Sequence, residues 1–222
     1  MLTGPSFIPD KMTHAVILCH GYGANGADLM GLVPYLKHFL PQTGFFCPNA
    51  PTPMMYNGYE WFSLSDYTMA PEFVSTDYLD TLVKRCEQPA KLLADYINTI
   101  KNTYHVPDKN IILMGFSQGG LLALYTGLTL PYMIGGLIGC SAVPIVFEKV
   151  LPPQNISKNI PVLLTHGDMD TVVPPYGMDL NGHQLAKIGI TPTTFLSVGL
   201  EHGIDDACLQ HIIPFIQNCF KD

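Results

Sequence analysis

Between Lys109 and Glu148 the chain carries no Asp, Glu, Lys or Arg. So long a stretch without charge has to be shielded from water, in a bilayer or at the centre of a protein. Gly119-Gly120, Pro131, Gly135-Gly136 and Pro144 cut it into pieces, each shorter than the roughly 20 apolar residues a membrane helix needs. The remaining solution is the middle strand, helix and strand of a parallel sheet. Such a unit is covered on both faces, so its strands read as almost continuous apolar runs.

The rest of the chain has the same grammar. Strand-like runs at His14-Cys19, Phe45-Cys47, Asn110-Gly115, Ile134-Cys140, Pro161-His166 and Thr193-Val198 alternate with longer segments of helical character. Those segments are Gly26-Leu40, Thr76-Tyr104, Ser117-Leu130, Tyr176-Ile188 and Ile204-Phe220, with Asp77, Ser117 and Asp205 near helix starts, where caps and acids are favourable. In the second, Leu79, Leu82, Val83, Cys86, Leu93, Ile97 and Ile100 mark an apolar face, and Pro89 is expected to kink or split it. This is the pattern of βαβ units in an α/β protein with a mostly parallel central sheet flanked by helices. At 222 residues the chain is read as one domain, 1–222. The segment from Pro48 to Ser75 has neither period and is rich in Pro, aromatics and Met. It reads as a long ordered loop, a kind often tied to function.

Charged residues make up 13% of the chain, against roughly 25% on average, so the surface is weakly charged. With a net charge of -7 and no cluster of Lys and Arg, there is no phosphate-neutralising stripe, and nucleic acid is not an expected partner. The six cysteines lack C-x-x-C spacing and fit buried thiols in a reducing compartment. Met1 to Lys11 has no basic segment followed by an apolar run, so it does not read as a secretory signal, and the cytoplasm is the expected location.

Chemistry enters at Gly115-Phe116-Ser117-Gln118-Gly119-Gly120, between the strand-like Ile111-Met114 and the helical Leu121-Tyr125. G-x-S-x-G alone is weak. A strand before it and a helix after it are what the nucleophile turn of a serine hydrolase demands, because the turn lifts the hydroxyl above the sheet and needs glycine where backbones meet. Ser117 is the candidate nucleophile.

A serine hydroxyl needs an imidazole to take its proton and later return it. In this type of hydrolase the chain order is Ser, then Asp or Glu, then His, which leaves His183, His202 and His211. His183 and His211 fall inside helical segments, whereas His202 follows a strand in the loop Gly199-Leu200-Glu201-His202-Gly203. Open α/β sheets carry their chemistry at such strand ends, so His202 is the candidate base. Its orienting acid falls in His166-Gly167-Asp168-Met169-Asp170-Thr171-Val172-Val173-Pro174, where position alone does not separate Asp168 from Asp170.

After the first long strand, His20-Gly21-Tyr22-Gly23-Ala24-Asn25-Gly26 is a glycine-rich turn without the G-x-x-x-x-G-K of a phosphate loop. It reads as one half of an oxyanion hole. The backbone N–H of Tyr22 would act with that of Gln118, the residue after the nucleophile. His20 reads as a structural hydrogen-bonder under that turn.

These residues, with Gly4-Pro5, Asn49-Ala50-Pro51 and Trp61-Phe62, resemble the phospholipase/carboxylesterase family that includes acyl-protein thioesterases. The likeness is to the compact bacterial carboxylesterases in particular. It implies an α/β-hydrolase fold with no separate lid domain and Asp170 as the catalytic acid. No cofactor and no metal are implied. Substrates would be small esters, lysophospholipids or protein-bound acyl thioesters, with Trp61, Phe62 and Val173 as candidate pocket residues. Asn25, where many bacterial relatives have an acid, and the sequence of the Met54-Pro71 loop depart from the family pattern, which bears on substrate rather than chemistry.

The expected function is therefore a serine carboxylesterase or thioesterase acting through an acyl-enzyme on a small-molecule or lipid substrate, with no integral membrane segment. A homodimer is left open. The rival readings are a non-catalytic binding protein on the same fold, or an acyltransferase or peptidase using the same three residues.

Overall fold

The computed structural model describes residues 1–64, 76–145 and 159–221, and all side chains among them except those at 76–80. Among the described residues nine strands occur in chain order: β1 (Ser6–Phe7), β2 (His14–Cys19), β3 (Thr43–Phe46), β4 (Thr52–Pro53), β5 (Tyr59–Glu60), β6 (Ile111–Phe116), β7 (Gly136–Cys140), β8 (Val162–Gly167) and β9 (Thr193–Ser197). The helices are α1 (Gly26–Met30), α2 (Val33–Phe39), α3 (Thr76–Tyr104), α4 (Gln118–Thr129), α5 (Tyr176–Lys187) and α6 (Asp206–Cys219). Seven strands make one sheet in the order β1-β3-β2-β6-β7-β8-β9. Among the described strands of this sheet, only β1 runs antiparallel to its neighbour.

Alternate residues of a strand point to opposite faces, and here both faces are apolar. Ala15, Ile17, Ile111, Leu113, Leu137 and Leu164 join one core with α3, α4 and α5. Val16, Leu18, Ile112, Met114, Ile138 and Leu163 join the other with α1, α2 and α6. The uncharged middle of the sequence is thus β6, α4 and β7. No helix among the described residues is long and apolar enough to cross a membrane.

Several expectations needed adjustment. The segment 26–40 is two helices, because Pro34 cannot donate to the Met30 carbonyl and its ring would strike it; α1 starts on a capping box between Asn25 and Asp28. Pro89 does not split α3, which runs through it as one element; Leu82, Cys86, Leu93 and Ile97 on either side are fully buried, and that packing holds the helix together across the missing hydrogen bond. Asp205 caps α6 by accepting from Cys208 N, and the side chain of Asp77 lies outside the described residues. The Pro48–Ser75 loop contains the β4-β5 hairpin, and its residues 65–75 lie outside the description.

The sheet positions a site through its order. From β2 the chain goes to β3 on one side and then crosses back to β6 on the other, and at such a switch point two loops leave in opposite directions and open a crevice. The register pairs Cys19 with Gly115, so the turn after β2 and the turn after β6 emerge side by side. They touch closely. A Cβ on Gly119 would lie 2.1 Å from the Cys19 carbonyl oxygen and 2.4 Å from that of His20, and one on Gly115 would lie 2.0 Å from the Gly119 carbonyl oxygen.

The 48–62 segment is tied to the same place. Ala50 N donates to His20 Nε2 at 3.0 Å, and Trp61 Nε1 donates to the His20 carbonyl at 2.9 Å. Because a backbone N–H can only donate, His20 Nε2 carries no proton; its Nδ1–H donates to the Gly21 carbonyl at 2.7 Å. Burial holds the His20 pKa below its ordinary value, opposed by that bond to Gly21.

Two outcomes are expected. Gly119→Ala, which forces α4 away from the end of β2, should lower stability by about 2 kcal/mol or more, whereas Gly182→Ala in α5, whose Cβ would meet only Pro192 at 4.0 Å, should raise it by about 0.5–1 kcal/mol; equal urea midpoints for the two would contradict this packing. His20 is neutral when folded, so its contribution is complete above about pH 6.5 and is lost as pH falls and the unfolded chain alone takes up a proton, with a slope of up to about 1.4 kcal/mol per pH unit. His20→Gln, which keeps an acceptor for Ala50, should lose less stability between pH 7.5 and pH 5 than the wild type, and parallel curves would refute this role.

Candidate active site

Ser117 lies between β6 and α4 with φ 55° and ψ -119°, a backbone conformation that side chains other than glycine rarely adopt. Neighbours hold it there. Ser117 N donates to the Cys140 carbonyl at 2.9 Å, and the Ser117 carbonyl accepts from Gly120, Leu121 and Val143. Although Ser117 is the residue before the helix, its hydroxyl does not cap it, because the left-handed turn swings the side chain off the helix axis. The Ser117 hydroxyl has no hydrogen-bond partner among the described residues.

His202 is brought to this turn by two contacts. Its ring packs on Phe116, the residue before Ser117, with centroids 4.6 Å apart, and its Nδ1 donates to Asp170 Oδ2 at 2.7 Å. The buried Asp170 carboxylate uses its other oxygen to accept from Val172 N at 2.9 Å and Val173 N at 2.8 Å. With its Nδ1 proton committed to Asp170, the neutral imidazole presents an unprotonated Nε2.

Geometry separates the two aspartates that spacing left open. Asp168 Oδ1 accepts from Gly199 N at 2.6 Å, Asp168 N donates to the Ser197 carbonyl, and Met169 N donates to the Leu200 carbonyl. Asp168 therefore stitches the loop after β8 to the loop after β9, and Asp170 alone of the two meets the imidazole. Gly167 permits the stitch: a Cβ there would lie 2.2 Å from the Leu200 carbonyl oxygen. At its far end the His202 loop is pinned by Asp205, which accepts from Ser197 Oγ at 2.6 Å and from Cys208 N at 2.8 Å. Burial opposes ionisation of Asp205, but these donors outweigh it and hold its carboxyl below the usual range.

Sequence reasoning passed over two side chains. His166 Nε2–H donates to the Val173 carbonyl at 2.7 Å and lies 3.3 Å from Asp170 Oδ2, closing the acid's loop on itself. Burial, opposed by that bond to Val173, keeps its pKa below the ordinary histidine value. The other is Gln118, whose buried amide accepts from Trp61 N at 3.0 Å and donates to the Phe62 carbonyl at 2.7 Å. His166 opens the run that holds both aspartates, which was the available signal. Nothing in the sequence pointed to the Gln118 contact, which spans more than fifty positions.

The backbone N–H groups of Tyr22 and Gln118 have no protein acceptor among the described residues. Gln118 is the first residue of α4, where N–H groups lack intrahelical partners. The two turns are adjacent: a Cβ on Gly21 would lie 3.4 Å from Ser117 Cβ. The Tyr22 turn is braced by the hairpin through Gly23 N to Tyr59 O at 2.9 Å and Tyr59 N to Ala24 O at 2.8 Å.

Trp61, Phe62 and Val173 are core residues, with Val173 packed beside Pro144 and Gly177. The open space next to the imidazole has other walls, among them Ala24, Asp28, Leu29, Leu32 and Ile204. His183 Nδ1 bonds the Asp179 carbonyl. His211 bonds Ala207 and stacks on Phe195. No group of His, Cys, Asp and Glu suited to a metal ion occurs among the described residues. Burial pushes the thiols of Cys47 and Cys140 up to about 12, which leaves them poor nucleophiles.

Comparison with known proteins agrees with this architecture. Acyl-protein thioesterase 1 of Aspergillus fumigatus is 30% identical over 96% of this chain and 91% of its own length. Acyl-protein thioesterase 1 of Emericella nidulans is 26% identical over 97% and 95%. The crystal structure of esterase PE8 superposes with a TM-score of 0.85 at 31% identity, covering 98% of this chain and 99% of the other. Acyl-protein thioesterase 2 of Zea mays, at 20% identity and a TM-score of 0.71 over 98% and 99%, shares the fold. The phospholipase/carboxylesterase family model matches residues 8–220, and the chain belongs to that family of α/β-hydrolases.

Proposed function

We propose that this chain hydrolyses carboxylic esters and thioesters through an acyl-enzyme on Ser117, with His202 as general base and acid. Asp170 orients the imidazole, and the N–H groups of Tyr22 and Gln118 form the oxyanion hole. The observation that carries the reading is the 2.7 Å bond from His202 Nδ1 to Asp170. It fixes the tautomer and leaves Nε2 as the acceptor beside the nucleophile turn.

In the first half-reaction Ser117 Oγ bonds to the acyl carbon while its proton passes to His202 Nε2. The carbonyl electron pair moves onto oxygen, where the two N–H groups stabilise it. Collapse breaks the bond to the alcohol or thiol, which takes the proton from Nε2. Water then repeats the sequence on the acyl-enzyme, giving the carboxylic acid and restoring the serine. A thiolate, whose conjugate acid has a pKa near 8.5, needs this proton less than an alkoxide does, so one site serves both bond types. The named thioesterase relatives bring acylated cysteine into the substrate class to be tested.

Trp61 and Phe62 act on the site from behind, by gripping Gln118, and Val173 borders the flank toward Pro144. Buried thiols without disulfides at Cys19, Cys47, Cys86, Cys140 and Cys208 support a reducing compartment, the cytoplasm.

On p-nitrophenyl esters, Ser117→Ala should lower kcat by roughly 10⁴- to 10⁶-fold and abolish labelling by a fluorophosphonate. An undiminished rate in that variant would sink the reading. Asp170→Asn should cost about 10⁴-fold in kcat, while Asp168→Asn, which keeps an acceptor oxygen for Gly199, should cost no more than roughly 10²-fold. The reverse ranking would reassign the orienting acid.

A further inference from the structure

A cavity of about 300 Å³ opens beside the imidazole, between the loop after β9 and the α1-α2 corner. His202, Gly203 and Ile204 line it together with Phe116, Leu29 and Leu32. Asp28 joins the lining from an exposed position on α1. From these positions we propose that the cavity receives the leaving group of the substrate, and that Asp28 selects neutral or cationic leaving groups over anionic ones. This rests on the acyl-enzyme reading above.

The direction follows from the proton. After attack the proton sits on His202 Nε2, and the next acceptor is the atom whose bond to the acyl carbon breaks. That atom must lie within hydrogen-bond reach of Nε2, so the rest of the leaving group continues into the space that the imidazole itself borders. The acyl carbon is held by Ser117, whose other flank is the β7 side, where Val143 N donates to the Ser117 carbonyl at 3.2 Å. The acyl chain therefore leaves away from the cavity, and the alcohol or thiol enters it.

The selection follows from charge. Among the described residues no Lys or Arg lines the cavity, and one Asp28 oxygen accepts from Asn25 N at 2.8 Å as part of the capping box. Of the two imidazoles in the lining, His20 accepts from Ala50 N on an unprotonated Nε2, and His202 has its Nδ1 on Asp170. A cation in the cavity thus meets negative charge on the α1 side, and an anion is repelled. The leucines supply an apolar surface for the body of the group.

The test uses butyrate esters that share one acyl group and differ in the alcohol: methyl, 3,3-dimethylbutyl, and its cationic isostere 2-(trimethylammonio)ethyl. Asp28→Asn keeps the capping geometry and should lower the ratio of kcat/KM for the cationic over the neutral isostere by roughly two- to fivefold, the range of an exposed charge pair. Leu32→Trp, which fills the cavity, should lower the ratio of the 3,3-dimethylbutyl to the methyl ester by about tenfold. Deacylation, measured after rapid acylation, should be common to all three esters in each variant because the leaving group has departed. The assignment is overturned if either ratio is unchanged, or if Leu32→Trp instead discriminates among acyl lengths at a fixed alcohol and alters deacylation. Failure of the underlying reading has a separate signature, butyrate hydrolysis that survives Ser117→Ala.

Discussion

The left-handed turn at Ser117 is the constraint from which the rest of the site follows. A non-glycine residue with φ 55° costs on the order of 1–3 kcal/mol, and the turn survives because its surroundings overdetermine it. β7 takes the serine N–H, Val143 and the first turn of α4 take its carbonyl, and glycines at 115 and 119 remove the atoms that would collide. Its effect is to present the hydroxyl where no helix N–H captures it. A serine in ordinary helix-start geometry would be a satisfied cap and a poor nucleophile.

The acid and the base are secured by a different principle. Their loops are long and carry no regular ladder, so their backbone groups find one another instead. Asp168 reaches across to Gly199, Met169 to Leu200, and His166 folds the acid's own loop around Val173. Asp170 keeps one oxygen occupied by two backbone donors and offers the other to His202. The two acids of one short run thus divide the work: the first joins the loops, and the second meets the imidazole.

Much of this was legible in the sequence, and the gaps have physical causes. The uncharged middle, the strand-to-helix turn and the late histidine are local patterns, and local patterns fix β6, α4 and the position of His202. Asp168 and Asp170 could not be ranked from spacing, since both lie within reach of the same strand end and only the pairing of the two loops decides. The β4-β5 hairpin escaped for a related reason: its two-residue strands have no period of their own and exist because Tyr59 pairs with Gly23 and Ala24. Trp61 and Phe62, named as candidate pocket residues, meet the Gln118 amide through their backbones and set their rings in the core, a role that only the folded chain displays. The break between α1 and α2 was readable at Pro34, and the continuity of α3 through Pro89 was not, because burial on either side outweighs one missing donor.

Asp205 and Asp168 anchor the two ends of the stretch from Gly199 to Asp205, so the span available to that stretch is set by the sheet and not by the loop itself. Connections on the opposite edge of the sheet, near β1 and β3, could lengthen or shorten without touching the site, but a change of even one residue between these two anchors would pull the imidazole from its bond to Asp170 and its seat on Phe116. The length of this stretch is therefore tied to the identities of His202 and of the two aspartates that pin its ends.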